Sequence, residues 1–172
     1  MHEESNGPRR IDIAVNDSQN HLNVDPDALR TLARNILAGE GIAEADVSIT
    51  LVDDAVIHSI NRRHLDHDWP TDVITFSLGD PGATVLEAEL VVSAEMAART
   101  AKQIGADPSA ELALYVVHGL LHLCGFDDVQ PEAAARMHAR EAEVLAREGI
   151  VNTFSLVDQD LEARSEGSSC SG

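Results

Sequence analysis

The chain has 172 residues, about one domain's worth, with 12 Lys+Arg against 30 Asp+Glu and a formal net charge of −18 at pH 7. Hydrophobic residues make up 44% of it, an ordinary share for a globular domain, which excludes a disordered chain. The charge repels phosphate and excludes a generally basic nucleic-acid binder, so any RNA contact must come from a local patch or a bound metal.

Residues 1–10 read as a flexible lead without the apolar core of a secretory signal. Ile11 to Val15 alternates apolar and polar, the period of a first strand. Asp25-Pro26-Asp27 supplies an N-cap with Pro at the first helical position. The helix behind it carries Ala28, Leu29, Leu32, Ala33, Ile36 and Leu37 on one stripe, and Gly39 and Gly41 end it. Val47 to Val52 is a second strand. Asp53-Asp54 caps a short helix through His58, Ile60 and Asn61, and Pro70 interrupts. Asp72 to Ser77 is a third strand, followed by the turn signal Gly79-Asp80-Pro81-Gly82.

Ala88 to Ser93 is a fourth strand and Ala94 to Ile104 an Ala-rich helix, stopped by Gly105 and Pro108. Ser109 is positioned to cap a long apolar helix from Ala110 to Cys124, which Gly125 ends. Pro131 to Arg147 is a final amphipathic helix before Gly149. The order predicts an α+β fold: a single domain over 11–157 with a small mixed four-stranded sheet packed by helices. The Ser/Gly-rich stretch 158–172 reads as a disordered tail. The longest apolar run, Leu112 to Phe126, is interrupted by His118 and His122 and is shorter than the roughly 20 residues of a membrane span, so no membrane partner is expected. Cys124 and Cys170 lie in unlike contexts, which predicts free thiols in a reducing, cytoplasmic setting.

Most of the chemistry lies between Val117 and Asp128. His118 and His122 are separated by about 400° of helical rotation and roughly 6 Å of rise, so both rings leave one face. Two imidazoles held that way can share a tetrahedral ion at about 2.0–2.1 Å each. Gly125 breaks the helix and turns the chain back, which brings Asp128 within reach of the same ion at the end of this central helix. The pattern H-x-x-x-H-x-x-G-x-x-D matches the ligand frame of metzincin-type zinc sites. The general-base Glu that follows the first His in those enzymes is absent, its position taken by Gly119. The alternative to a metal site is a pair of helix histidines facing a polar partner. Asp127 competes with Asp128 as the carboxylate, and His138 and Glu141 on the next helix compete more distantly.

These residues resemble the YbeY family of single-domain, metal-dependent endoribonucleases. The family motif H-G-x-L-H-L-x-G-[YF]-D-H reads here H-G-L-L-H-L-C-G-F-D-D, from His118 to Asp128. Pro70-Thr71-Asp72-Val73-Ile74-Thr75-Phe76-Ser77 resembles the family's P-T-D-V-L-S-F strand. Ile60-Asn61, and Met137, Glu141 and Leu145 on the last helix, also sit where the family has similar residues. The resemblance implies a single-strand-specific endoribonuclease of rRNA processing, acting in 16S rRNA 3′-end maturation and ribosome biogenesis. Its expected partners are the rRNA precursor and the ribosome or ribosomal proteins, with no DNA. One Zn2+ per chain is expected on His118, His122 and Asp128.

Two departures stand out. The family's third ligand is His and here is Asp128, which leaves a net +1 around zinc instead of +2, weakens polarisation of a bound water and favours a harder metal. The family commonly has an Arg five residues before the Pro, a candidate for binding RNA phosphate, and here that position is Leu65. Arg62 and Arg63 are the nearby candidate catalytic cations, with His64 or His67 as further helpers; a solvated charged loop is the plain alternative for the arginines. Thr71 and Asp72 either cap a strand or bond to a His ligand. The competing functions are a non-catalytic ribosome-assembly factor with a structural metal, supported by Leu65, and a zinc metallopeptidase, which Gly119 opposes. No phosphate loop, dinucleotide fingerprint or nucleophile elbow is present, so no organic cofactor is expected.

Overall fold

A computed structural model describes residues 9–64 and 71–151. The expected tail at 158–172, most of the lead at 1–10, and Leu65, His67, Pro70 and Cys170 lie outside the described residues. The elements follow the order β1(Arg10–Asp17), α1(Pro26–Gly39), β2(Glu44–Val52), α2(Asp54–His64), β3(Val73–Ser77), β4(Leu86–Ser93), α3(Ala94–Ile104), α4(Pro108–Leu123) and α5(Pro131–Arg147). This is the α+β fold with a four-stranded mixed sheet. Strand order is β1-β2-β4-β3; β1, β2 and β4 run parallel, and β3 returns antiparallel on β4, Phe76 opposite Glu89.

The pleat of β2 sends Ala45, Val47, Ile49 and Leu51 to one face, all fully buried. Ala88, Leu90 and Val92 of β4 join them, and this face meets the core stripe of α1, namely Leu29, Leu32, Ala33, Ile36 and Leu37. On the other face Val52, Ile74 and Val91 form a smaller cluster with Ile57 of α2. α4 is apolar on nearly every side. Its residues from Ala110 to Val117, and Gly119, Leu120 and Leu121, are buried, as expected of a helix enclosed by its own domain rather than lying on it.

The close seat of α4 depends on Gly119. A Cβ there would stand 3.0 Å from both Leu90 Cδ2 and Val73 Cγ2, so this side of the helix is pressed onto β3 and β4. The helix begins two residues earlier than the sequence suggests, at Pro108 rather than Ala110. Asp107, not Ser109, is the N-cap, its carboxylate accepting from the Ser109 N–H at 2.8 Å. Pro108 opens α4 at its first position, where a missing N–H costs nothing, instead of stopping α3. α2 likewise runs to His64, past the expected end near Asn61, with Asp53 accepting from the Val56 N–H at 2.9 Å.

Candidate metal centre

The C-terminus of α4 builds the site. Cys124 caps the helix and Gly125, at φ 98°, adopts the left-handed conformation that a residue without Cβ takes at no steric cost. The Phe126 N–H donates to Leu121 O at 3.0 Å and the Gly125 N–H to His122 O at 3.1 Å, the paired bonds of a Schellman motif. That reversal carries Asp128 back over the helix end. His118 Nε2 and His122 Nε2 stand 3.1 Å apart. Asp128 Oδ2 lies 3.5 Å from His118 Nε2, and Oδ1 lies 3.6 Å from His122 Nε2.

Those separations fit a tetrahedral ion. Two ligands about 2.05 Å from one centre at the tetrahedral angle are about 3.3 Å apart. The hydrogen bonds on the far edges of the rings decide the chemistry. His118 Nδ1 lies 2.5 Å from Glu141 Oε1, and His122 Nδ1 lies 3.1 Å from Phe126 O. A carboxylate and a carbonyl only accept, so both Nδ1 atoms carry hydrogen and donate. In the neutral rings both Nε2 atoms are then bare lone pairs, facing each other and a carboxylate. Such a set of acceptors is satisfied by a cation, or by a proton on one Nε2. Among the described residues, His118, His122 and Asp128 are the group able to hold a metal ion, their ligand atoms all within 4.8 Å of one another.

Burial lowers the His118 pKa, but the hydrogen bond and charge of Glu141, helped by Asp72 and Asp128, outweigh it and raise the value above the ordinary one. Cys124 beside the site is half-buried and its thiol is pushed up to about 11, first by burial and then by the charge of Glu40.

The rival residues have other work. Asp127 accepts from the Val129 N–H at 3.1 Å and ties the turn. Glu141 and His138 are not in the cluster: Glu141 sits on the Nδ1 edge of His118, and its second oxygen is 3.2 Å from His138 Nδ1. Asp72 accepts from Thr71 Oγ1 at 3.1 Å and the Val73 N–H at 2.9 Å, so the pair organises the start of β3. Arg62 and Arg63 are exposed in the last turn of α2, where their charge suits the helix dipole. Among the described residues no hydrogen bond or ion pair joins them to the cluster. The His64 ring packs edge-on against Phe76, centroids 5.7 Å apart. A groove of about 830 Å³ lined by Leu29, Leu32, Leu112 and Ile150 lies at the other end of α4, away from the histidines.

Fold and cluster together define a small α+β protein whose enclosed helix ends in a two-histidine, one-carboxylate centre able to hold a divalent ion. The family described as endoribonuclease YbeY matches residues 14–149. The chain is 38% identical over 154 residues to an endoribonuclease YbeY of Moorella thermoacetica, covering 81% of this chain and 99% of that one. It is 35% identical over 144 residues to the endoribonuclease YbeY of Syntrophotalea carbinolica, covering 78% and 94%. An Anaeromyxobacter sp. endoribonuclease YbeY is 44% identical over 124 residues, covering 72% of this chain and 65% of the relative. The solution structure of TM1509 from Thermotoga maritima shares the fold, with a TM-score of 0.54 at 24% identity over 78% of this chain and 90% of that one. The chain belongs to the YbeY family.

Proposed function

We propose that this chain is a single-strand-specific, metal-dependent endoribonuclease of rRNA processing, acting in 16S rRNA 3′-end maturation. The observation that carries the reading is the convergence of two bare Nε2 lone pairs and the Asp128 carboxylate at the end of α4. His118, His122 and Asp128 would hold one Zn2+, leaving a fourth position open. When bound, the ion would supply Lewis-acid stabilisation of charge on a phosphoryl oxygen. The two imidazoles are neutral donors and Asp128 contributes one negative charge, so the centre keeps a net +1 with a divalent ion.

The remaining assignments follow from the family and the charge. The substrate is the rRNA precursor, and the ribosome or its proteins present it, since a chain of net charge −18 gains nothing from long-range attraction to phosphate. No described helix is long and apolar enough to cross a membrane, and the working compartment is the cytoplasm. Arg62 and Arg63 are the cations nearest in sequence to the family's Arg position and are assigned to phosphate contact.

A second reading is a ribosome-assembly factor whose metal is structural. Leu65 in place of the family's Arg supports it. A metallopeptidase has less support, because the position after His118 faces Leu90 and Val73 with no space for a general-base Glu. The deciding experiment incubates purified protein with rRNA precursor beside His122→Ala. Cleavage by the parent protein alone, abolished by chelator, supports the nuclease. Equal cleavage by both proteins points to a contaminating nuclease and leaves the assembly factor ahead.

A further inference from the structure

Glu141 lies on the buried side of α5 among Met137, Val144 and Leu145, and is 0% exposed. A carboxylate taken out of water is costly unless it is paired and hydrogen-bonded. Both of its oxygens are engaged, Oε1 by His118 Nδ1 at 2.5 Å and Oε2 by His138 Nδ1 at 3.2 Å. The bond to His118 spans 23 residues of sequence and ties α5 to the end of α4. Glu141 stands on the opposite edge of the imidazole from Asp128, so it cannot ligate the ion the other edge faces.

We propose that Glu141 is a positioning residue for the metal ligand His118: it holds the hydrogen on Nδ1, fixes the ring plane, and thereby keeps the Nε2 lone pair turned toward His122 and Asp128. The assignment rests on the metal-site reading above and adds to it a residue from a separate helix. His122 receives the same service from the Phe126 carbonyl, which no side-chain substitution removes. His118 is therefore the ligand whose orientation depends on a replaceable group. Glu141 also changes the charge balance. A divalent ion balances the charge of the part-exposed Asp128 carboxylate and the buried Glu141 carboxylate together.

The test compares Glu141→Met, which keeps the length without an acceptor, with Glu141→Gln. The glutamine Oε1 can still accept from His118 Nδ1, and its amide can donate to His138. Zn2+ affinity is read by competition with a chromophoric chelator. The His118 tautomer is read by 15N NMR on the metal-free chain at alkaline pH. Loss of a partner that orients a metal-bound histidine costs about 10–100-fold in affinity, and Glu141→Met is expected in that range with His118 mixed between tautomers. Glu141→Gln is expected to keep the Nδ1–H form and recover most of the affinity. Glu141→Met binding zinc within twofold of the parent, or Glu141→Gln binding no better than Glu141→Met, would overturn the proposal. So would an Nε2–H tautomer of His118 in the parent chain, a result needing no variant to fold. A parent chain that binds no zinc overturns the metal reading instead, and the tautomer comparison still decides whether Glu141 sets the ring.

Discussion

His118 Nε2 and His122 Nε2 approach to 3.1 Å while each ring donates its only hydrogen from the other nitrogen. Two lone pairs at that distance repel, and Asp128 adds a third acceptor beside them. In the neutral rings the helix end thus presents three acceptors to one point, a set that a cation, or a proton on one Nε2, satisfies. Zinc at about 100 times its dissociation constant should stabilise the fold by about 2.7 kcal/mol, roughly 5–10 °C in melting midpoint for a chain of this size. Melting curves with zinc and with chelator measure it. His122→Ala should erase the difference, and an unchanged zinc shift in that variant removes His122 from the ligand set.

The raised pKa of His118 gives the metal-free chain a signed pH dependence. A histidine whose folded value exceeds its unfolded one, about 6.5, binds its proton more tightly when folded. That contribution to stability is full below about 6.5 and is lost as pH rises through the folded value. Zinc must displace the same proton from Nε2, so its apparent affinity should climb about tenfold per pH unit until His118 is neutral. Chelator competition across pH checks both signs in one series, with unfolding by urea at each pH. Replacing His118 by Ala should flatten the stability component.

Gly125 and Gly119 predict different kinds of damage. At φ 98° a side chain at position 125 meets its own backbone, at a cost of about 1–2 kcal/mol. Gly125→Ala should therefore weaken both the fold and zinc binding, because the turn carries Asp128. Gly119→Ala gains about 0.5–1 kcal/mol of helix propensity but pushes into Leu90 and Val73. Overpacking of about 1–3 kcal/mol wins, and net destabilisation by about 1 kcal/mol is expected. Urea midpoints on both variants, beside zinc titrations, separate the two effects.

Ser93 is fully buried between β4 and α3. Its hydroxyl accepts from the Met96 N–H at 3.0 Å and donates to Asp54 Oδ1 at 2.8 Å, and Asp54 in turn pairs with Arg99 at 2.5 Å. Ser93→Ala removes a cap and leaves Asp54 short of a donor, a loss of about 1–2 kcal/mol. Chemical denaturation is the measurement; a change under about 0.3 kcal/mol would mean that water replaces the hydroxyl in full.

With its thiol raised to about 11, Cys124 should be slow toward iodoacetamide at neutral pH, because the thiolate is the nucleophile. In a Cys170→Ser background the alkylation rate should rise about tenfold per pH unit toward that value. A fast reaction at pH 7 would show that the helix end opens readily.

The sequence displays what is local. The nine described elements, the stripe of α1, and the frame of His118, His122, Gly125 and Asp128 all lie within short windows whose period or spacing has one structural meaning. Asp107 and Ser109 illustrate the boundary: both are good caps, and the choice falls to Pro108, which reads equally as the end of one helix or the start of the next. In the sequence Glu141 stands out as a competing ligand and as a position similar to the family's, but not as a partner of His118, because that partner is 23 residues away and the side of α5 facing α4 is set by packing. The placement of β4 between β2 and β3 is likewise a matter of tertiary pairing. Arg62 and Arg63 carry no spacing signal that ties them to the histidines, and the described structure adds none.

The three candidate ligand positions are mounted unequally. Two of them ride on α4, whose residues on either side of the histidines are buried in the core. Asp128 is mounted beyond the reversal at Gly125 and is 40% exposed at its side chain. An ion held here would accordingly come and go through the carboxylate side: swinging the stretch after Gly125 would unlatch one arm while the imidazoles stay in place. The speed at which one ion is traded for another then belongs to that short arm, and the tightness of the grip to the helix.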